Sequence, residues 1–532
     1  MVNFLEVLIL SIFVFFSCYF PGRVIAEKLK LKDTEKFVLS FGFSCFLFYI
    51  LGFLIYVLNL PFLFNSFLLL IFLIISAFFI YKNNLVIEKE LLIFFALFLL
   101  LIFYQSLIPF YSGGMWYFDW FEHYLRCVFF LYKLPLNVSF MGYIVPARPP
   151  LFNVVCFFYQ SIFGDEFYKY QIISTLLNFL LLLSIYLFTK EIFKIENKNL
   201  FTLLCGILLL NPYILRQITY TWTKAFCAYY TVCGLYFYIK FLKNKEEIFL
   251  YLSAFLFGAG FITHFSAGPY ILPLMIFLFL KSIQDRKILK NFLIFNLIFF
   301  ITIFTYFSWA IKNYGVKKTF LSNTSYQQMK IDIVQRIEKD LNNLYKTILP
   351  VISKEYIDAF KKIYSDLKFR FFNYILPFYS SSIPGNLTIS FTIFLLYMLF
   401  LKYKGKNLEK TDKEFLFFFI PLSFFLALVV NPTKDLCGVS HVTFLPMICL
   451  ILSIGIKEFI QFEKRKVLLT LYLIETISVL IFQIYIFENY FTVEKTLYFY
   501  NTEGVDNSHF QNFLFKYKNN LIFLYDKIFI LK

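Results

Sequence analysis

The feature that most constrains this sequence is an apolar run about 20 residues long, which recurs from one end of the chain to the other. A helix of that length crosses the hydrocarbon core of a bilayer. Of the 532 residues, 60% are hydrophobic and only 16% are charged. Because helices satisfy their backbone hydrogen bonds internally in lipid, we predict an all-α polytopic membrane protein.

Taking each apolar run as one helix predicts about fourteen transmembrane spans. The stretch 151–163 is apolar but short, so we interpret it as an interfacial or re-entrant helix. The first run lacks the basic n-region and cleavage site of a signal peptide, which favours a retained helix. The predicted spans are 2–20, 37–58, 62–81, 90–110, 167–188, 199–211, 225–241, 248–264, 269–281, 291–310, 386–401, 413–430, 441–456 and 467–488.

Lysine and arginine cluster in every second connection between these spans, as the positive-inside rule requires. The formal net charge of +17 is therefore explained by loops at the cytoplasmic face, and we exclude nucleic acid as a partner. The intervening connections are predicted to be external. They are 111–150, 212–224, 265–268, 311–385, 431–440 and the tail from 489.

This sided map divides the chain into five regions. They are an N-terminal four-helix membrane region (1–110), a membrane core (111–310) with a catalytic external loop (111–166), an external helical loop (311–385), C-terminal membrane helices (386–488) and a short external tail (489–532).

The first large external loop carries an unusual group of polar residues beside an aromatic interface. Asp119, Glu122 and His123 fall within about one helical turn, so Asp119 can share a face with either of the other two. A carboxylate there could deprotonate an acceptor hydroxyl or amine, or bind a divalent cation together with His123. The alternative, a solvated face of an amphipathic interfacial helix, stays open at this point.

Cationic residues mark the same predicted face. Arg148 precedes a double proline where the chain re-enters the membrane, and its planar fork of donors suits a phosphate at headgroup level. Snorkelling toward lipid headgroups is the alternative for such a residue. The further candidates for substrate binding at this face are His123, Arg216, Lys224, His264 and His441.

An acidic external loop, an Arg-Pro-Pro-Leu segment at 148–151, an interfacial helix and a Phe-Gly-Asp turn at 163–165 follow one another in that order. This arrangement resembles the polyprenyl-phosphate-dependent GT-C glycosyltransferases, in particular the protein mannosyltransferase and aminoarabinose transferase relatives. The similarity covers roughly residues 105–310. It implies that Asp119 stands at the catalytic acidic position and Arg148 near the carrier phosphate, while Asp165 is expected to cap a helix.

Two later motifs depart from the pattern of these relatives. The relatives often carry an acidic residue at the first place and Thr-Lys at the second, whereas this chain has Thr223-Lys224 and Thr263-His264. The departures indicate a different sugar donor or acceptor, or an inactive relative.

The resemblance implies a GT-C-like inverting transferase in the cytoplasmic (inner) membrane, with its active site facing outward. It would move a sugar from a polyprenyl-phosphate donor to a lipid, glycan or protein acceptor among the membrane lipids. Asp119 and Glu122 are the predicted catalytic residues, and no cofactor other than a divalent cation is considered. A lipid-linked oligosaccharide flippase and an O-antigen-type polymerase or ligase are the alternatives; the first predicts charges at span centres, and the second a functional late loop within 311–385.

Overall fold

The computed structural model describes residues 2–84, 88–109, 119–197, 199–322, 332–335, 337–338, 341, 410–430, 443–461, 465–490 and 508–529. Throughout these ranges helices dominate, as the apolar runs predict. The N-terminal region consists of α1 (Val2–Ser17), α2 (Phe20–Glu27), α3 (Asp33–Val57), α4 (Leu63–Lys82) and α5 (Lys89–Ser106).

Among the described residues the region 111–310 begins with α6, which lies within the predicted external loop 111–166. Its helices are α6 (Asp119–Tyr132), α7 (Leu151–Phe163), α8 (Phe167–Phe179), α9 (Leu181–Ile192), α10 (Leu200–Leu209), α11 (Pro212–Thr219), α12 (Lys224–Asn244), α13 (Glu247–Thr263), α14 (Gly268–Gln284) and α15 (Arg286–Leu321). The described C-terminal helices are α16 (Lys410–Val430), α17 (Leu445–Gln461), α18 (Arg465–Tyr490), α19 (Ser508–Tyr517) and α20 (Leu524–Ile528).

A short antiparallel hairpin interrupts the helical pattern between α6 and α7. Strand β1 (Ser139–Phe140) pairs with β2 (Tyr143–Ile144) in the register Ser139 to Ile144, and a 3-10 turn over Val145–Ala147 follows. The prediction of an all-α chain missed this hairpin because its strands are two residues long and show no alternation of polarity.

Eight helices among the described residues are long and apolar enough to cross a membrane, or nine if the bent pair α10 and α11 forms one span. The chain is therefore an integral membrane protein with several spans. The predicted span 386–401 lies outside the described residues, and the count of fourteen stays a prediction. The eight helices are Phe4–Glu27, Asp33–Val57, Leu63–Lys82, Lys89–Ser106, Phe167–Ile192, Lys224–Asn244, Phe265–Gln284 and Ile288–Leu321.

Ion pairs bring the predicted cytoplasmic connections together at one end of the bundle. Arg23 on α2 contacts Glu88 before α5 at 2.8 Å. Lys32 before α3 contacts Glu191 on α9 at 2.6 Å, and Lys240 on α12 contacts the buried Glu35. The lysine-rich segments therefore meet in space as well as in the topology predicted by charge.

Helix α7 corresponds to the predicted interfacial or re-entrant segment. Its 13 residues pack against α3, α6 and α8, and Leu151 through Gln160 are all buried. This enclosure by protein favours the re-entrant form over a helix lying in the lipid headgroups. Gly164 ends the helix with φ 110°, a backbone conformation that residues with a Cβ rarely adopt.

Candidate active site

Helix α6 begins at Asp119 and presents its first turn to the segment that precedes α7. Asp119 keeps 28% of its side chain exposed, whereas Trp120, Glu122 and His123 are almost completely buried. The backbone N–H of Trp120 donates to the Tyr220 hydroxyl at 3.2 Å, which joins the start of α6 to the connection between α11 and α12. The start of the helix is thus fixed by a neighbour about 100 residues away.

A buried ion pair lies one turn into the same helix. Arg126 Nη2 and Nε donate to Glu122 Oε1 at 2.7 and 2.9 Å, and both side chains are only 2% exposed. Arg126 Nη1 also donates to the Val145 carbonyl at 2.7 Å, in the 3-10 turn that leads to Arg148. Sequence reasoning missed Arg126, although its spacing of four residues from Glu122 is the signal of a helical ion pair.

Arg148 joins the two predicted motifs. Its Nε lies 3.6 Å from Glu122 Oε1 and its Nη2 lies 3.9 Å from Asp119 Oδ1. Its guanidinium also lies over the Tyr143 ring, 5.6 Å from the centroid. An arginine and an acidic residue that stand about thirty residues apart in the chain therefore share one site.

The charges around Glu122 determine its ionisation. Burial by itself would raise the pKa of this carboxyl group, but the nearby charges of Arg148 and Arg126 outweigh it and lower the pKa to about 2. Glu122 is consequently an enclosed carboxylate held by two guanidinium groups, which disfavours a divalent cation at the same oxygens.

The His123 side chain is buried between α6 and α7. Its Nδ1 lies 3.2 Å from Asn153 Oδ1 on α7, and its ring packs edge-on against Phe152 at 6.3 Å. Burial lowers the pKa of His123 to about 3; Glu122 opposes the shift, and the charges of Arg148 and Arg126 add to it. The imidazole is therefore neutral at physiological pH and donates its Nδ1–H to Asn153.

A second pair, Lys224 and His264, forms where α12 begins and α13 ends. Lys224 Nζ lies 3.2 Å from His264 Nδ1, and the Ser266 backbone N–H donates to the same nitrogen at 2.9 Å. Because an amide N–H only donates, Nδ1 must be the acceptor and the neutral ring carries its proton on Nε2. His264 is 6% exposed, and its Nε2 has no hydrogen-bond partner among the residues that the structure describes.

Electrostatics connect the two halves of the site. Burial lowers the pKa of His264 well below its usual range, and the charges of Lys224 and then Arg148 lower it further. Arg148, on the segment before α7, is thus close enough to the turn between α13 and α14 to act on His264.

Two candidates remain, Arg216 and His441. Arg216 is buried on α11, one turn before Tyr220, whose N–H donates to the Arg216 carbonyl at 3.0 Å. It therefore lies on the element that supports the start of α6. His441 lies outside the described residues.

Asp165 has a different role from the helix cap that was expected. The residue before α8 is Glu166, and no side chain caps that helix. Asp165 instead accepts hydrogen bonds at its carboxylate from Tyr132 and from Asn520, and at its carbonyl from Tyr124. Asp165 therefore links α6, through Tyr132 and Tyr124, to Asn520 of the C-terminal segment.

Residues 147–309 match the family model described as dolichyl-phosphate-mannose-protein mannosyltransferase. The match begins immediately before Arg148 and contains Arg216, Lys224 and His264, whereas Asp119, Glu122 and His123 precede it. No curated protein matches the chain. The match confirms the resemblance to GT-C glycosyltransferases and supports a membrane glycosyltransferase of the class that uses polyprenyl-phosphate sugar donors.

Proposed function

We propose that this chain transfers a sugar from a polyprenyl-phosphate carrier to a lipid, glycan or protein acceptor at the outer face of the cytoplasmic membrane. The observation that carries the proposal is the meeting of Asp119 and Arg148, 3.9 Å apart, at the mouth of a buried cluster of charged residues. A base for the acceptor and a cation for the leaving phosphate are the two groups that this reaction needs.

Asp119 is the proposed general base. Its carboxylate takes the proton of the acceptor hydroxyl or amine as the acceptor attacks the anomeric carbon. The bond between that carbon and the phosphate oxygen breaks, and the electron pair leaves with the polyprenyl phosphate. The attack proceeds from the face opposite the leaving group, so the anomeric configuration inverts.

Arg148 is the proposed partner of the carrier phosphate. In the substrate-free chain its guanidinium lies near Asp119 and Glu122. A phosphate that binds Arg148 competes with Asp119 for the same cation, and this competition releases the carboxylate for the acceptor. Donor binding would thereby prepare the base.

Glu122 is better suited to positioning than to proton transfer. Its side chain is 2% exposed and its pKa, lowered to about 2 against the effect of burial by Arg148 and Arg126, makes it a weak base. We assign Glu122 and Arg126 to holding Arg148 and the turn Val145–Ala147 in place.

The two departures from the family pattern are adjacent in space, which supports an active enzyme over an inactive relative. Lys224 supplies a cation from α12, and His264 lies 3.2 Å away at the end of α13. The site therefore keeps one lysine, but on α12 at Lys224, whereas the relatives often carry it at the place of His264. His264 then offers its Nε2–H, and Lys224 its ammonium group, to oxygens of the donor.

The outer location follows from the charge rule. The ends of α12 and α13 that carry Lys224 and His264 are opposite to the ends that contain Lys240 and Glu247. The latter belong to the lysine-rich connections that are predicted to stay in the cytoplasm. A flippase would call for charges at span centres, whereas the proposed site uses helix ends and connections.

The test is sugar transfer by the purified chain in proteoliposomes, supplied in turn with several polyprenyl-phosphate sugars. Asp119→Asn should abolish release of polyprenyl phosphate without changing the amount of inserted protein. Asp33→Asn is the matched control, because the Asp33 side chain is 92% exposed at the other end of the molecule. Full activity of Asp119→Asn would refute the assignment of the base.

A further inference from the structure

The C-terminal segment folds back onto the start of α6. From contacts over residues 518–528, we propose that Phe523 is a positioning residue that fixes the first turn of α6, and with it Asp119, for the transfer reaction. The inference rests on the proposed function of Asp119. The prediction from sequence treated residues 489–532 only as a short external tail.

Hydrogen bonds attach this segment to α8 and to the turn before it. The Tyr168 N–H donates to the Ile522 carbonyl at 2.9 Å, and the Leu524 N–H donates to Gln171 Oε1 at 3.1 Å. Asn520 Nδ2 donates to Asp165 Oδ2 at 2.8 Å. The backbone on both sides of Phe523, at Ile522 and at Leu524, is therefore hydrogen-bonded to α8.

Phe523 enters an aromatic cluster beside the proposed base. It is 4% exposed, and its ring lies 5.0 Å from that of Phe167 and 6.2 Å from that of Trp120. Trp120 and Phe167 also meet edge-on at 5.2 Å. Since Trp120 directly follows Asp119, the packing of Phe523 bears on the backbone that carries the carboxylate.

Helix α20 anchors the far side of the segment. It packs against α1, α5 and α8, and Lys527 contacts Glu6 on α1 at 3.6 Å. Lys527 also lies over the Tyr168 ring, 4.9 Å from its centroid. The segment thus connects the first helix of the chain to the helix that begins at Asp119.

The second restraint on this turn is independent of the tail. Tyr220 accepts the hydrogen bond of the Trp120 N–H from the side of α11. Phe523 and Tyr220 together hold Trp120 from two elements, so removal of one leaves the helix formed but its start less fixed. A displacement of about 1 Å in a reacting group costs about 100-fold in rate.

The experiment compares Phe523→Ala with Phe515→Ala in the full-length chain. Phe515 lies in the same tail but is 88% exposed, which makes it the matched control. Phe523→Ala should lower kcat by about 10- to 100-fold, with KM for the sugar donor within about twofold, because the proposed donor-binding residues Arg148, Lys224 and His264 lie on other elements than the tail. Phe523→Leu should restore most of kcat, and Phe515→Ala should match the wild type.

Hydrogen exchange of peptides covering 119–124 provides a readout that does not depend on activity. Faster exchange in Phe523→Ala, but not in Phe515→Ala, supports the positioning of α6 even if the wild-type chain transfers no sugar and the proposed function fails. Exchange and kcat equal to those of Phe515→Ala would overturn the inference. A loss that appears only as a higher KM, with kcat unchanged, would overturn it too.

Discussion

At the scale of single residues, the site depends on protonation states that burial determines. His264 and His123 are both neutral because they lie in protein beside arginine or lysine. Their hydrogen-bond partners then fix the tautomers, Nε2–H for His264 and Nδ1–H for His123. The sequence indicates that these histidines stand at an interface, but only the partners determine which nitrogen donates.

The tautomer of His264 predicts effects of different size for two amide substitutions. His264→Asn keeps an acceptor near the position of Nδ1, for Lys224 and Ser266, but removes the Nε2–H. His264→Gln can place an amide N–H near the position of Nε2. We expect the donor KM to rise by about tenfold in the Asn variant and by less in the Gln variant, the cost of about one hydrogen bond. Steady-state transfer kinetics would check this, and equal effects in both variants would contradict the assigned tautomer.

His123 predicts a loss of stability in mild acid. Its folded pKa of about 3 lies below the ordinary value of 6.5, so the unfolded chain binds the proton more readily between these two pH values. The stabilisation by neutral His123 is complete above pH 6.5 and declines as the pH falls toward 3. The midpoint temperature of thermal unfolding in detergent should therefore fall more steeply from pH 7 to pH 5 for the wild type than for His123→Asn. Parallel curves for the two proteins would rule out this contribution.

At the scale of elements, the apolar pattern predicted most helices, because an apolar run near 20 residues long is typical of a membrane-spanning helix. It predicted α7 as a short non-crossing segment, and the structure favours the re-entrant form. It did not predict the hairpin of β1 and β2, whose strands are only two residues long. Nor did it predict the docking of residues 518–528, which depends on contacts far apart in the chain. Arg126 could have been recognised from its spacing to Glu122, but its bond to Val145 required the fold.

The turn between α7 and α8 should not tolerate a side chain at Gly164. Its φ of 110° disfavours any Cβ, and a Cβ there would lie 2.6 Å from Glu166 Oε2. Gly164→Ala should destabilise the chain by about 1–3 kcal/mol. Gly206→Ala on α10 is the control, because it has space and a helical position that favours alanine. Equal midpoint temperatures of thermal unfolding for the two variants would contradict the requirement for glycine at position 164.

At the scale of the whole molecule, charge alternation predicted which connections share one end of the bundle, and ion pairs such as Lys32 with Glu191 lie where it indicates. The proximity of Arg148 to Asp119 could not be predicted, because periodicity says nothing of how separate helices pack. Lys224 and His264, two departures that look unrelated in the sequence, lie beside each other in the structure.

The sided map predicts which single cysteines an impermeant thiol reagent reaches in intact cells. Phe515→Cys, in the external tail, should react, whereas Lys32→Cys, 63% exposed at the lysine-rich end, should react only after the membrane is opened. The eight described native cysteines are buried, and the ninth, Cys437 in the predicted external connection 431–440, is replaced by serine in the background chain. The reverse labelling pattern would invert the map and place the site in the cytoplasm.

A joint role of Asp119 and Arg148 in one site is tested most directly by a double-mutant cycle on kcat/KM for Asp119→Asn and Arg148→Gln. If both residues act on one donor and one acceptor in a shared site, the second substitution should cost much less in the presence of the first. The predicted coupling exceeds about 1 kcal/mol, more than the scatter of independent sites. Effects that add within about 0.5 kcal/mol would contradict a joint role of Asp119 and Arg148 in sugar transfer.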